Sequence, residues 1–268
     1  MAKNFASVLI RFFNAVKNGV FLMKKVALIT GSKGGIGSAI SSQLVNDGYR
    51  VIATYFTGKY ECALEWFNEK GFTKDQVRLF ELDVTDTAQC AEKLALILEE
   101  EGTIDVVINN AGITRDGVFK KMTAQAWNDV INTNLNSLFN VTQPLFAAMC
   151  EKGGGRIINI SSVNGLKGQF GQANYSAAKA GMIGFSKALA YEGARSGVTV
   201  NVIAPGYTGT PMVEQMKPEV LESITSQIPM KRLATPEEIA ASVSFLVSDA
   251  GAYITGETLS VNGGLYMH

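Results

Sequence analysis

Histidine is all but missing: the single one, His268, is the last of 268 residues. Ser-His-Asp hydrolysis, Cys-His catalysis and histidine-ligated metal sites are therefore close to excluded. Proton chemistry falls to Tyr, Lys, Asp, Glu or Ser. Cysteine is scarce too, and Cys62, Cys90 and Cys150 stand far apart with no C-x-x-C. That argues against a disulfide scaffold and a cysteine zinc site, so no metal is expected. Neither sign of charge is in excess, since 24 basic residues meet 24 acidic ones. The electrostatic footprint of a nucleic-acid binder is thus absent. What is plentiful is apolar material, 47% against 18% charged, enough for a large core and no disordered signature.

The neutral total hides an asymmetry. Residues 1–25 carry Lys3, Arg11, Lys17, Lys24 and Lys25 and no acid, so the remainder is net acidic. Phe5, Val8, Leu9, Phe12, Phe13, Val16 and Val20 fall on one helical face, opposite Ser7, Arg11, Asn14 and Asn18. The run is too interrupted to span a bilayer and has neither the apolar stretch nor the cleavage site of a secretory signal. Three readings stay open for this extension, residues 1–24. It is a basic amphipathic helix for an anionic membrane or a lipid-coated particle, an organellar transit peptide, or a stretch ahead of the true start at Met23.

From residue 25 to 268 short β-rich runs alternate with helical patterns. Strands are expected at Val26–Thr30, Arg50–Tyr55, Val77–Leu82, Ile104–Asn109, Arg156–Ser161, Val198–Ile203 and Glu257–Val261. Helices are expected near 35–47, 60–70, 87–101, 122–150, 173–195 and 236–248. Alternation with near-continuous apolar strands reads as one α/β domain, a doubly wound, mainly parallel seven-stranded sheet with helices on both faces. Ligands of such sheets sit beyond the carboxyl ends of the strands. The segment from Thr208 to Ile228, interrupted by Pro211 and Pro218, reads as a lid.

The first strand runs into Gly31-Ser32-Lys33-Gly34-Gly35-Ile36-Gly37 and then a helix. Small residues there let backbone N–H groups and a helix N-terminus approach a pyrophosphate. An acid at the end of the second strand would bind a ribose 2′-hydroxyl and repel a 2′-phosphate. Here Ala53 to Lys59, which includes Phe56, contains no acid, and Lys59 supplies a cation. The expected cofactor is NADP(H).

Tyr175 and Lys179 are four residues apart, hence on one helical face. A fixed cation beside a phenol favours the phenolate and lowers its pKa, giving an acid that can protonate a carbonyl oxygen. The pair alone is weak, because chance supplies it in roughly every second chain of this composition. Its setting adds more: Ser161-Ser162 at the end of the fifth strand, Asn109-Asn110-Ala111-Gly112 at the end of the fourth, and Asn132-Thr133-Asn134 in the next helix.

Taken together, T-G-x-x-x-G-x-G at 30–37, N-N-A-G at 109–112, Ser162 and Y-x-x-x-K at 175–179 resemble the short-chain dehydrogenase/reductases. Pro205-Gly206 and Val261-Asn262-Gly263-Gly264 extend the match over residues 25–268, and the fold implied is a Rossmann fold. The resemblance implies a catalytic set of Asn134, Ser162, Tyr175 and Lys179. Tyr175 would donate the proton, Lys179 lower its pKa and bond the nicotinamide ribose, Ser162 bond the carbonyl oxygen, and Asn134 hold a relay water. It also implies that Asp83 and Val84 flank the adenine, that Asn109 to Ile113 with Asn110 approach the ribose, and that Pro205, Gly206, Tyr207 and Thr208 border the nicotinamide.

Two subgroups are the nearest, the reductases of 3-oxoacyl groups on acyl-carrier protein and those of acetoacetyl-CoA. Asn109–Asp116 is shared by both, whereas Ile160–Gln172 and Ser137–Thr142 resemble the CoA subgroup. Against this, residues 253–259 resemble the carrier-protein subgroup at least as well. The reading taken forward is reduction of acetoacetyl-CoA, with Asp116, Ser162, Gln169, Phe170, Gly171, Gln172, Gly206 and Tyr207 lining the thioester path. One departure weakens the 2′-phosphate reading: Glu61 stands where the CoA subgroup has arginine. The resemblance further implies a cytoplasmic homotetramer. An inactive cofactor-binding scaffold is the alternative of another class.

Overall fold

Val26, Ala27, Leu28 and Ile29 form β1, and all four are buried, as a strand covered on both faces requires. The computed structural model describes residues 24–214 and 216–267. Nearly all of the basic extension, with Met23 as an alternative start, and His268 lie outside the described residues. After β1 come α1 (Gly35–Asn46), β2 (Arg50–Tyr55), α2 (Tyr60–Glu69), β3 (Val77–Glu81), α3 (Thr87–Glu101) and β4 (Val106–Asn109). Next follow α4 (Ala124–Ile131), α5 (Ser137–Lys152), β5 (Gly155–Ile160), α6 (Val163–Lys167) and α7 (Ala173–Gly193). The last elements are β6 (Val198–Pro205), α8 (Pro211–Glu214), α9 (Pro218–Gln227), α10 (Pro236–Val247) and β7 (Thr258–Val261).

The seven strands make one parallel sheet in the order β3-β2-β1-β4-β5-β6-β7. This is the expected doubly wound Rossmann arrangement, with its switch point between β1 and β4. Strand alternation divides the core. Ile29, Val51, Ile108, Ile158 and Ile203 point to the face covered by α1 and α10, whose Ile40, Leu44, Ile239 and Val243 meet them. Leu28, Ile52, Val107, Ile157 and Val200 point to the other face, against Leu94, Ile97, Val141 and Leu145 of α3 and α5. Truncating one of these fully buried leucines to alanine would cost about 2–5 kcal/mol.

Helix starts follow local chemistry. Asp86 accepts from the Gln89 N–H ahead of α3, and Thr235 with Glu238 forms a reciprocal cap ahead of α10. Gly102 ends α3 at φ 72°, a conformation that glycine adopts without penalty.

The single helix expected over 122–150 is instead two, joined by a turn of π-helix at Asn132–Asn136. The segment 208–228 contains α8 and α9. Among the described residues no helix is long and apolar enough to cross a membrane.

Candidate active site

The glycine turn is built by close backbone approach. A Cβ on Gly37 would lie 2.2 Å from the Gly31 carbonyl oxygen and 2.7 Å from Asn110 Nδ2, so only glycine fits. Gly31 takes φ 65° and sits against the Ala111 backbone. The turn is braced from β4: Asn110 Nδ2 donates to the Thr30 and Gly31 carbonyls at 3.0 Å each, and Thr30 Oγ1 accepts from the N–H groups of Asn110 and Ala111. The Asn-Asn-Ala-Gly segment therefore holds the turn in shape, and the Asn110 amide acts through that turn.

Around it lies a cleft of ≈ 470 Å³ bounded by Gly31, Lys33, Gly34, Phe56, Lys59 and Val84, and closed inward by Gly112 and Ile113. No carboxylate lines it. Lys33 and Lys59 are exposed, and neither ammonium has a partner among the described residues. A second cavity of ≈ 260 Å³ continues over Ile113, Ser162, Tyr175, Lys179, Gly206 and Tyr207. A dinucleotide fits this pair of spaces: a glycine cradle that a Cβ would fill, apolar walls from Leu82 and Val84, and free cations at one end.

At the inner end Ser162, just past β5, caps α6, its Oγ accepting the Asn164 N–H at 3.1 Å. The same hydroxyl faces the Tyr175 phenol of α7 closely enough to lower its pKa in part. Lys179 lies one turn on, its ammonium 5.5 Å from the centre of the Tyr175 ring and donating to the Ile160 carbonyl at 2.7 Å. Asn134 is fully buried in the π turn. Its Nδ2 donates to the Ile113 carbonyl, and its Oδ1 accepts the Ile113 N–H, both at 2.8 Å. An amide has two donors and two lone pairs, so one of each remains for a water. A π turn widens the helix by one residue, which is how this amide reaches the β4 loop.

The electrostatics differ from the expectation drawn from residue spacing. Burial raises the Tyr175 pKa, the neighbouring Ser162 hydroxyl lowers it in part, and Asp116 adds to the rise. Lys179 sits over the ring face rather than at the hydroxyl, and the phenol stays protonated. Burial lowers Lys179 to about 8 from 10.5. Between those pH values the unfolded chain holds a proton that the folded one has released, so this group's contribution to stability rises with pH across the window. Relative to Lys179→Met, the ligand-free protein is expected to gain melting temperature from pH 8 to pH 10. A difference that stays flat with pH would contradict the assignment.

Most of the expected residues meet here, and some do not. Ser32 is buried and donates to the Ile29 carbonyl at 2.7 Å. Asn109 is also buried, bonded to Thr142 and Asn159 in a polar chain that continues to Ser186. The Asp83 carboxylate accepts from the N–H and hydroxyl of Thr85. These three brace strand ends, while Val84, Phe56 and Gly34 to Gly37 line the clefts. Of the thioester-path residues, Ser162, Gly206 and Tyr207 line the inner cavity. Gln172 instead bridges Asp116 and Asn164 at 2.9 Å each, Lys167 holds Gln169, Gly171 pairs with Gly117, and Phe170 is 86% exposed.

Asn174 is a residue that motif reading passes over. Fully buried, it donates to the carbonyls of Arg115 and Ala126 and accepts the Tyr175 N–H, joining the β4 loop, α4 and the start of α7. An amide beside Tyr175, at a helix start, is the one signal that points to it.

The family profile described as Enoyl-(Acyl carrier protein) reductase matches residues 31–266. An acetoacetyl-CoA reductase of Acinetobacter is 58% identical over 91% of this chain and 99% of its own length. An acetoacetyl-CoA reductase of Allochromatium vinosum is 52% identical over 92% of this chain and its own full length. The 3-oxoacyl-(acyl-carrier-protein) reductase of Escherichia coli is 47% identical over 91% of this chain and 98% of its own.

Proposed function

The chain belongs to the short-chain dehydrogenase/reductase family, and from that premise we propose that it reduces acetoacetyl-CoA to (R)-3-hydroxybutyryl-CoA with NADPH. The observation that carries the chemistry is the cluster of Ser162, Tyr175 and buried Lys179 at the inner end of a two-part cleft. Two relatives that reduce acetoacetyl-CoA, at 58% and 52% identity, support the choice of thioester.

The glycine turn would hold the pyrophosphate, Phe56, Leu82 and Val84 the adenine, and Ile113 with Pro205 to Thr208 the nicotinamide. When bound, the reduced nicotinamide supplies a hydride to C3 of the thioester. Tyr175 gives its phenolic proton to the carbonyl oxygen as that oxygen becomes an alcohol, and burial keeps the proton in place until then. Ser162 donates a second hydrogen bond to the same oxygen, its Oγ oriented by the Asn164 N–H. Lys179, fixed to the Ile160 carbonyl, presents a buried ammonium to the ribose. Asn134 keeps its spare donor and acceptor for the water that returns a proton to Tyr175.

Preference for NADPH is supported by the free ammonium groups of Lys33 and Lys59 in a cleft without carboxylates. Lys59→Ala is expected to weaken NADPH about tenfold and leave NADH unchanged. Equal effects on both cofactors, read from KM, would remove the 2′-phosphate role.

The carrier-protein ester is the second reading, favoured by the 47% relative. Matched NADPH oxidation assays with acetoacetyl-CoA and acetoacetyl-acyl-carrier protein separate them. Preference for the CoA ester places the chain in polymer precursor supply, and preference for the carrier-protein ester moves it to fatty-acid elongation with the same catalytic residues. The subgroup further suggests a homotetramer.

A further inference from the structure

The amino-terminal edge of the sheet, opposite the cofactor cleft, holds a separate cavity of ≈ 200 Å³. Lys25, Tyr49, Asp105, Lys152, Gly154 and Arg156 line it, where β1, β4 and β5 begin. Its one carboxylate is already satisfied. Asp105 accepts the Val26 N–H on Oδ2 at 2.7 Å and Lys152 on Oδ1, and Lys152 also donates to Thr103 Oγ1. The remaining cations are not. Arg156 uses Nη1 on the Gly155 and Gly197 carbonyls, while its Nε is buried without a partner and Nη2 has none among the described residues. Lys25 is exposed and carries no ion pair among the described residues. The Tyr49 hydroxyl reaches the Val247 carbonyl only at 3.4 Å, long for an O–H···O bond.

We propose that this cavity binds a phosphate group. The Nε–Nη2 side of a guanidinium is the edge that grips an oxyanion through two parallel bonds, and here that edge is the unused one. A planar carboxylate has two oxygens for this fork. A tetrahedral phosphate has further oxygens for Lys25 and for the Tyr49 hydroxyl, which matches the three donors present. A buried guanidinium N–H without a partner is unfavourable until an acceptor arrives, so the anion completes the site. Among the lining residues Asp105 is paired with Lys152, which leaves the charges of Lys25 and Arg156, while Asp47 and Asp249 stand outside the lining and act on Tyr49. The phosphate is either free inorganic phosphate or a monoester on a larger metabolite, and the chemistry recognised is the same.

The test uses the enzyme saturated with NADPH, so that the glycine turn is occupied. Sodium phosphate is titrated calorimetrically against it at ionic strength matched with chloride, and glycerol 3-phosphate is titrated in parallel. One saturable site is expected, weakened about tenfold by Lys25→Glu and similarly by Arg156→Lys, which keeps the charge and loses the fork. Lys25 is an exposed residue ahead of β1, so its variant keeps the result readable where Arg156→Lys fails to fold. Tighter binding of glycerol 3-phosphate assigns the site to a monoester, and tighter binding of inorganic phosphate assigns it to the free ion. Absence of saturable binding to the parent enzyme, or binding that Lys25→Glu leaves unchanged, overturns the proposal.

Discussion

Tyr175→Phe is expected to lower turnover at least about 10³-fold while NADPH binding and melting temperature stay close to the parent values. The substitution removes one oxygen and keeps the ring that Lys179 covers at 5.5 Å, so packing in α7 is retained. It takes away the group that burial holds protonated and that Ser162 addresses. Water is a poor replacement, because Ser162 and Tyr175 meet at the inner end of the cavity, where the phenol is largely buried. The measurement is NADPH oxidation at saturating acetoacetyl-CoA, with cofactor binding followed by fluorescence. A variant retaining a tenth of parental turnover would show that another group delivers the proton. An inactive parent that still binds NADPH would instead favour the scaffold reading.

The second large effect is expected from Gly37→Ala. The new methyl would stand 2.2 Å from the Gly31 carbonyl oxygen and 2.7 Å from Asn110 Nδ2. Asn110 cannot swing aside freely, since its amide holds the Thr30 and Gly31 carbonyls. The turn must open, and overpacking of this kind costs roughly 1–3 kcal/mol. For a chain of this size that corresponds to a melting temperature lower by about 3–10 °C. NADPH affinity should fall by more than about tenfold, because the N–H groups proposed to cradle the pyrophosphate move together. Gly34→Ala is the control for stability. There a Cβ meets the Gly31 oxygen at 3.4 Å, an ordinary contact, and φ is −63°. Equal melting temperatures for the two variants would contradict this account of the turn.

The sheet was legible because its strands are buried on both faces. Uninterrupted apolar runs such as Val26–Ile29 and Val106–Ile108 leave little ambiguity. Edges were less so. Ile104 and Asp105 precede β4, and Ser161 lies past β5, because pairing with neighbours rather than residue type ends a strand. The motifs pointed to Ser162, Tyr175 and Lys179 through their order along the chain, and the fold brings these three side chains to one cavity. What they could not convey was division of labour among the asparagines. Asn109, Asn110, Asn134 and Asn174 have the same side chain, yet one ties two strands, one braces the turn, one grips the β4 loop and one anchors α7. An amide's role is set by which carbonyls the fold brings near it. The sign of the Tyr175 shift was out of reach for the same reason: four-residue spacing gives a shared helical face but not the balance of burial against charge.

The π turn at Asn132–Asn136 acts as a phase adjuster between two helices. Each residue of an α-helix advances the chain by about 100°, so a turn holding one residue more resets the angular origin for everything beyond it. The buried stripe of α5, with Leu138, Val141, Leu145 and Met149, is thereby aimed at the sheet independently of where α4 aims Val130. Residue number in this stretch is consequently a constraint of its own. Shortening it by a single residue, whatever its identity, would regularise the helix and bring α4 and the Asn134 amide out of alignment with the β4 loop, even with every motif intact.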